Sequence, residues 1–211
     1  MTQLIRYYRD RAVEYDAVYA KPERQGDLAR LNDLLPSLVS GATILEVAAG
    51  TGYWTRTLST AAAAITATDI NAETLDLART RDYGPALVTF QIADAYALDE
   101  VPGRFDTAFV GFFWSHILRA DLPRFLDGLT ARLGAGTRVI VLDNRYVPGS
   151  STPISRTSPE GDTFQHRTLS DARGFEIVKN FPDRAQFTAD VGTDVEWSEL
   201  PYYWLAAFRL R

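Results

Sequence analysis

Ile44-Leu45-Glu46-Val47-Ala48-Ala49-Gly50-Thr51-Gly52 decides how this 211-residue chain is read. Thr43 to Ala48 reads as a buried strand. A turn of small residues follows, and Tyr53 to Ala62 reads as a helix. A strand that runs through such a turn into a helix lets backbone approach a ligand closely and presents free N–H groups to it. Gly50 and Gly52 supply the permissive dihedrals. Asp69 lies 17 residues beyond Gly52, at the end of a second strand from Ala64 to Thr68. A carboxylate there is placed to accept both hydroxyls of a ribose. The segment points to a nucleoside-containing ligand without saying which.

Outward from this segment the pattern alternates. Asn71 looks like the N-cap of a helix through Leu75, Leu77 and Ala78; Ala86 to Ile92 and Phe105 to Gly111 read as strands three and four. Asp121 opens a helix with Leu122, Phe125, Leu126, Leu129 and Leu133 on one face, Gly134-Ala135-Gly136 ends it, and Arg138 to Leu142 is strand five. This rhythm argues an α/β fold: a parallel sheet with helices on both faces. Upstream, Leu4, Tyr8, Ala12, Tyr15 and Tyr19 recur at helical spacing, Pro22 marks a break, and Leu28, Leu31, Leu35 and Leu38 give a second helix that ends before Gly41. Downstream, Val147 to Asp162 reads as a loop, Thr163–Leu169 and Phe175–Lys179 as a β-hairpin, Pro182 to Val191 as a short helix, and Thr193–Glu199 and Tyr202–Leu210 as final strands. The economical organisation is one domain over 1–211: an N-terminal helical lid (1–40), a ligand-binding core (41–143), and a substrate-side insertion with the final strands (144–211).

Composition narrows the function. Apolar residues make up 46% and charged residues 23%, which places the chain among folded proteins. The net charge of −5 gives no global footprint for nucleic acid. With no cysteine, disulfides, thiolate nucleophiles and Cys metal sites are excluded. His116 and His166 are 50 residues apart and form no histidine metal motif. No apolar stretch approaches the ~18 residues that span a bilayer, and the start lacks a leader pattern, so a cytoplasmic protein without a membrane partner is the expectation.

The dinucleotide fingerprint needs a third glycine, but Gly50-Thr51-Gly52 is followed by Tyr53, Trp54 and Thr55. Glu46, four residues before Gly50, suits a cationic ligand group such as an amino-acid ammonium better than a pyrophosphate. The segment resembles motif I of the class I S-adenosylmethionine (SAM)-dependent methyltransferases, E/D-x-G-x-G-x-G, with Ala48 where the family often has its first glycine. Asp69 matches the family's ribose-binding acid. Asp94-Ala95 resembles the adenine-binding pair, Phe105-Asp106-Thr107-Ala108-Phe109 resembles the motif IV strand, and Arg132 to Thr137 resembles the turn before strand five. The resemblance implies a Rossmann-like, mostly parallel seven-stranded sheet, SAM as cofactor with S-adenosylhomocysteine as product, and cofactor contacts from Tyr7, Tyr15, Glu46, Ala48, Gly50, Gly52, Trp54, Asp69, Ile70, Asp94, Ala95 and Gly111.

Tyr7-Tyr8-Arg9-Asp10-Arg11-Ala12-Val13-Glu14-Tyr15-Asp16 is similar to the segment that covers the cofactor in small-molecule methyltransferases. It reads either as a lid whose tyrosines reach the ligands or as an aromatic stripe packed on the domain. Lys21 and Arg24 follow and read as contacts to the cofactor or an anionic substrate, with a solvated surface the leading alternative for Lys21. Substrate contacts are expected beyond the strand ends, from Trp114, His116, Asn144, Arg145 and Tyr203; the alternatives are that Trp114 packs against the following helix and that Arg145 pairs with a surface acid. His116, with Tyr15 beside it as a catalytic candidate, is the histidine whose ordinary titration suits a general base; its other reading is a hydrogen-bonded loop anchor. Asp143-Asn144 resembles the pair that holds magnesium in catechol-type O-methyltransferases, but Gly111 stands where those enzymes have a further Asp, so the reading is metal-independent. The expected activity is methyl transfer to an O or N atom of a small, planar or aromatic metabolite. A protein methyltransferase and a non-catalytic SAM-binding regulator are the alternatives, and the oligomeric state is not specified.

Overall fold

The computed structural model describes residues 2–211. Its strands are β1 (Thr43–Val47), β2 (Ala64–Asp69), β3 (Leu87–Ile92), β4 (Thr107–Gly111), β5 (Arg138–Asn144), β6 (Arg156–Thr157), β7 (Thr163–Thr168), β8 (Gly174–Val178), β9 (Glu196–Glu199) and β10 (Tyr203–Arg209). The helices are α1 (Gln3–Asp10), α2 (Gln25–Leu38), α3 (Tyr53–Leu58), α4 (Ala72–Ala78), α5 (Leu122–Leu133) and α6 (Arg184–Val191). Seven strands form one sheet in the order β3-β2-β1-β4-β5-β10-β9. β1 to β5 are parallel, and β10 and β9 each run antiparallel to the strand before them in that order. The Rossmann-like fold expected from the sequence is the one observed.

Strand order reverses between β1 and β4, so their C-terminal ends open the crevice in which ligands bind in such sheets. The return of β10 pairs Tyr203 with Asn144 and brings both to the same edge. Side chains alternate between the two faces. Leu45, Val47, Val110, Val139 and Val141 pack with Trp114, Phe125 and Phe187, whereas Ile44, Phe109, Ile140 and Leu142 pack with Leu31, Leu35 and Leu58. Both faces are covered, which is why these strands read as continuous apolar runs.

Three local features differ from the sequence reading. The first helix stops at Asp10, and Ala12–Ala20 winds as a 3-10 stretch. The tyrosine ladder changes seats there: Tyr7 packs on Phe175 of β8, while Tyr19 stacks on Tyr53 at the start of α3. The hairpin is a three-stranded sheet, because Arg156–Thr157 pairs with Thr163 and Phe164; the Arg156 guanidinium lies 3.5 Å over the Phe164 ring and pairs with Glu176 at 2.7 Å. Asn71 and Asp121 stand at N-cap positions, but their side chains make no capping bond. Tyr7, Leu169, Phe175 and Ile177 form a small core separate from the two faces of the main sheet. No helix among the described residues is long and apolar enough to cross a membrane.

Candidate active site

β1 delivers its chain into a turn with left-handed backbone at every second residue: Ala48 (φ 55°), Gly50 (φ 57°) and Gly52 (φ 76°). That region costs a side chain-bearing residue about 1–2 kcal/mol, and Ala48 bears the cost. At Gly52 a Cβ would fall 2.5 Å from Tyr83 Oη and 3.0 Å from Ala78 Cβ, so this glycine serves packing. At Gly50 a Cβ would meet nothing within 4 Å. The protein leaves open space beside that backbone, as a ligand-approach position requires.

Two carboxylates face this turn. Asp69 is buried; its Oδ2 accepts the Gly50 N–H at 2.9 Å and its Oδ1 the Asn71 N–H at 2.9 Å. Burial raises its pKa, and the two N–H groups oppose that shift. A carboxylate has about four acceptor positions, so two remain for a pair of hydroxyls. Glu46 on β1 is 2% exposed, and its Oε2 has no hydrogen-bond partner among the described residues. Burial, with Asp69 adding to it, pushes the Glu46 carboxyl up to about 8. An orphaned buried carboxyl fits a cationic ligand group that would restore its charge. Ile70 is 37% exposed although apolar, offering a flat ring an apolar contact. Asp94 is exposed after β3, its Oδ1 accepting the Tyr96 N–H at 2.9 Å, with Ala95 half-buried beside it. These features fit an amino-acid nucleoside: open backbone space, an acceptor pair, an unpaired carboxyl and an apolar shelf.

Other expected cofactor residues have structural partners. Trp54 is buried, donates from Nε1 to Tyr19 Oη at 3.1 Å, and stacks on Phe112 with centroids 5.8 Å apart. A Cβ on Gly111 would fall 2.8 Å from the Phe109 ring, a packing reason for glycine there. Phe112, immediately after it, has φ 59°. A bulky residue in that region is a genuine outlier, and its aromatic ring is clamped between Trp54 and Tyr203. Sequence reasoning gave no role to Asp16, yet this residue fastens the N-terminal segment to the turn. It accepts from Thr51 Oγ1 at 2.6 Å and pairs with Arg81, whose Nε donates to the Thr51 carbonyl at 2.5 Å.

A pocket opens beside Phe112. Tyr8 and Tyr15 come to it from the N-terminal segment, and Asn144 and Tyr203 from the sheet edge. Four expected residues lie elsewhere. Tyr7 is 2% exposed in the small core, where its Oη accepts from Arg11 Nη1 at 2.9 Å. Trp114 is buried against Phe187 at 4.6 Å between centroids. Arg145 donates to the Leu200 carbonyl at 2.9 Å and faces Glu199 at 3.5 Å. His116 stands behind the wall. Its Nδ1 is 2.6 Å from the Val178 carbonyl, which can only accept, so Nδ1 carries the proton and Nε2 accepts from Tyr8 Oη at 2.7 Å. Burial, reinforced by the Lys179 ammonium, pushes the imidazole down to about 3. It is neutral, and Tyr8 stands between it and the pocket.

Lys179 is bound to Asp143 at 3.1 Å and to Ser115 Oγ at 2.5 Å, all of them buried. Burial alone would raise Asp143; the ammonium, the Ser115 N–H and other neighbours outweigh it and hold the carboxyl below its ordinary value. Lys179 also reaches the pocket wall, with Arg11, Gln165 and Arg167, none of them anticipated as site residues. The available signal was the alternation on β7, where Gln165 and Arg167 point inward between exposed His166 and Thr168. Among the described residues no group of three or more His, Cys, Asp or Glu is placed to hold a metal ion.

Comparison with known proteins bears on the fold and the cofactor. A family model described as a methyltransferase domain matches residues 44–136. The biotin biosynthesis bifunctional protein BioHC of Cellvibrio japonicus (strain Ueda107) is 28% identical over 158 residues; the match covers 74% of this chain and 29% of that longer protein. The DhpI-SAM-HEP complex superposes with a TM-score of 0.75 at 28% identity, covering 97% of this chain and 95% of that one. The DhpI-SAH complex does so with 0.73 at 29% identity, covering 97% and 94%. The chain thus carries a match to a methyltransferase domain over residues 44–136 and is similar along nearly its whole length to a protein crystallised with SAM and with SAH, which supports S-adenosylmethionine as its cofactor.

Proposed function

We propose that this protein transfers a methyl group to an O or N atom of a small molecule held in the pocket beneath Tyr8 and Tyr15, without a metal ion. The observation that carries this reading is the enclosure of the acceptor side. The segment that bears Tyr15 is fastened to the cofactor turn through Asp16 and Thr51, and its other wall is the small sheet. Such a covered site favours a small molecule over a folded protein chain.

The bound cofactor supplies a methyl carbon already activated on a sulfonium, so the protein's work is alignment and exclusion of water. Glu46 and Gly50 would hold the amino-acid end, Asp69 the ribose, and Asp94, Ala95 and Ile70 the base. Phe112, pinned by Trp54 and Tyr203, forms part of the acceptor pocket's wall. Tyr8 Oη, whose own proton is held by His116 Nε2, can accept a hydrogen bond from an acceptor O–H or N–H and so orient that atom toward the methyl group. His116 is then a positioning residue that acts through Tyr8. Asp143 is committed to Lys179 and to the N–H groups of Ser115 and Asn144, and Gly111 offers no carboxylate, which supports the metal-free reading.

The test is methyl transfer from labelled SAM into a metabolite extract with and without a chelator. Label in a small-molecule product, insensitive to the chelator, is expected. Label only in protein, or SAM binding with no transfer to anything, would overturn the reading in favour of a protein methyltransferase or a regulator respectively.

A further inference from the structure

The pocket wall carries Arg11, Lys21, Arg24, Arg167 and Lys179 and not one carboxylate. Lys179 is neutralised by Asp143. Arg24 is 7% exposed, and the oxygens it reaches are neutral: Ser150 Oγ at 3.1–3.2 Å and Asn144 Oδ1 at 3.0 Å. Its guanidinium lies 5.3 Å over Tyr202 and 5.5 Å over Tyr203. Arg167 donates to Thr152 Oγ1 and Gln165 Oε1, both at 2.6 Å, and leaves its Nε buried with no partner at all. Lys21 Nζ reaches the Ser150 carbonyl at 2.6 Å.

Three cations therefore converge on three consecutive loop residues, Ser150 to Thr152. Of the acids nearby, Asp143 is taken by Lys179, Asp27 accepts the Tyr202 N–H, and Glu23 is exposed and accepts from Ser150 Oγ. Burial, with Arg24 and Arg167 beside it, holds Lys21 below its ordinary pKa against the opposing pull of Glu23. Burying an unpaired charge costs several kcal/mol, so an arrangement of this kind calls for an anion. The cofactor does not supply the missing negative charge. It brings one carboxylate but also an ammonium and a sulfonium, and adds positive charge overall.

The geometry points to an acceptor substrate that is a small oxyanion, of phosphate or phosphonate type, seated on Arg24, Arg167 and Lys21. Guanidinium forks match such oxygens, and a tetrahedral dianion offers enough of them for three donors. This rests on the methyltransferase reading for its consequence, but the anion site itself can be measured without turnover.

The experiment is isothermal titration of the SAM-saturated protein with inorganic phosphate, against acetate at matched ionic strength. Saturable phosphate binding is expected, with acetate at least tenfold weaker. Arg167→Gln should weaken phosphate binding tenfold or more and leave SAM affinity within twofold. Lys21→Gln, at a more accessible position, should do the same if Arg167→Gln fails to fold. No phosphate binding, binding indifferent to both substitutions, or acetate bound equally well would overturn the proposal. Failure of SAM to bind in the same titrations would instead overturn the methyltransferase reading, which keeps the two apart.

Discussion

Tyr8 Oη donates to Nε2 of His116, and the Val178 carbonyl fixes the proton on the other ring nitrogen. The imidazole thus has a free lone pair in one direction only, toward a tyrosine on the pocket wall. Tyr8→Phe removes the hydroxyl that orients the acceptor atom and should lower kcat by about tenfold. SAM affinity should be unchanged, and His116→Asn should lower kcat less. Because the buried imidazole stays neutral down to about pH 3, the rate should show no limb near 6.5. Steady-state kinetics from pH 5 to 9 check all three; a limb at 6.5 that disappears in His116→Asn would show a free histidine base.

The same histidine sets a stability trend. Its folded-state pKa is depressed from its ordinary 6.5 to about 3. Below pH 6.5 the unfolded chain takes up a proton that the folded protein refuses, so stability is present above 6.5 and is lost progressively as pH falls toward 3. Urea denaturation at pH 7 and pH 5 should show this loss, and His116→Asn should reduce it.

Glu46 has the opposite sign. Its folded-state pKa is raised from an ordinary 4.5 to about 8, so its contribution to stability is greatest below 4.5 and declines as pH rises through 8. In cofactor-free protein, Glu46→Gln should raise stability at pH 8 by on the order of 3 kcal/mol and have little effect at pH 4.5. SAM affinity should fall at least tenfold in the same variant. Thermal melts at the two pH values, paired with calorimetric SAM titration, measure both; equal SAM affinity would remove Glu46 from the cofactor site.

Lys179 and Asp143 form a buried pair at the edge between the two sheets. Lys179→Met alone should cost about 3–5 kcal/mol, because it strands the Asp143 charge. The double variant Lys179→Met with Asp143→Leu should recover part of that loss. Chemical denaturation of the three variants forms a double-mutant cycle; additive losses would mean the two groups do not interact.

Ala48 occupies left-handed backbone in the cofactor turn. Ala48→Gly should relieve about 1 kcal/mol of strain and raise Tm by roughly 2–4 °C. A lower Tm would show that the turn gains more from the stiffness of alanine than it loses to its dihedrals.

Much of this was legible in the sequence. The main sheet was readable because both its faces are buried, which prints each strand as an apolar run. The cofactor turn was readable because Gly50, Gly52, Glu46 and Asp69 must stand close to one another along the chain. The acceptor side was not. Lys21 and Arg24 were visible as cations, but Arg167 and Gln165 come from a strand more than 140 residues later in the chain, and only folding brings them to the same loop. The tyrosine ladder was misleading for a related reason: its spacing suits a continuous helix, whereas Tyr7 and Tyr19 are claimed by two separate packing partners. His116 drew attention as a base because imidazole titrates near neutrality; its burial and its two hydrogen-bond partners are tertiary facts.

The four-residue core of Tyr7, Leu169, Phe175 and Ile177 has a consequence for descent. It gives the first helix an apolar seat on the small sheet, away from the two faces of the main one. A lineage that altered one of those pieces would unsettle the other, so the pair is best inherited as a cassette. Swapping that cassette would change the chemistry accepted in the pocket and leave the neighbouring nucleoside cradle intact.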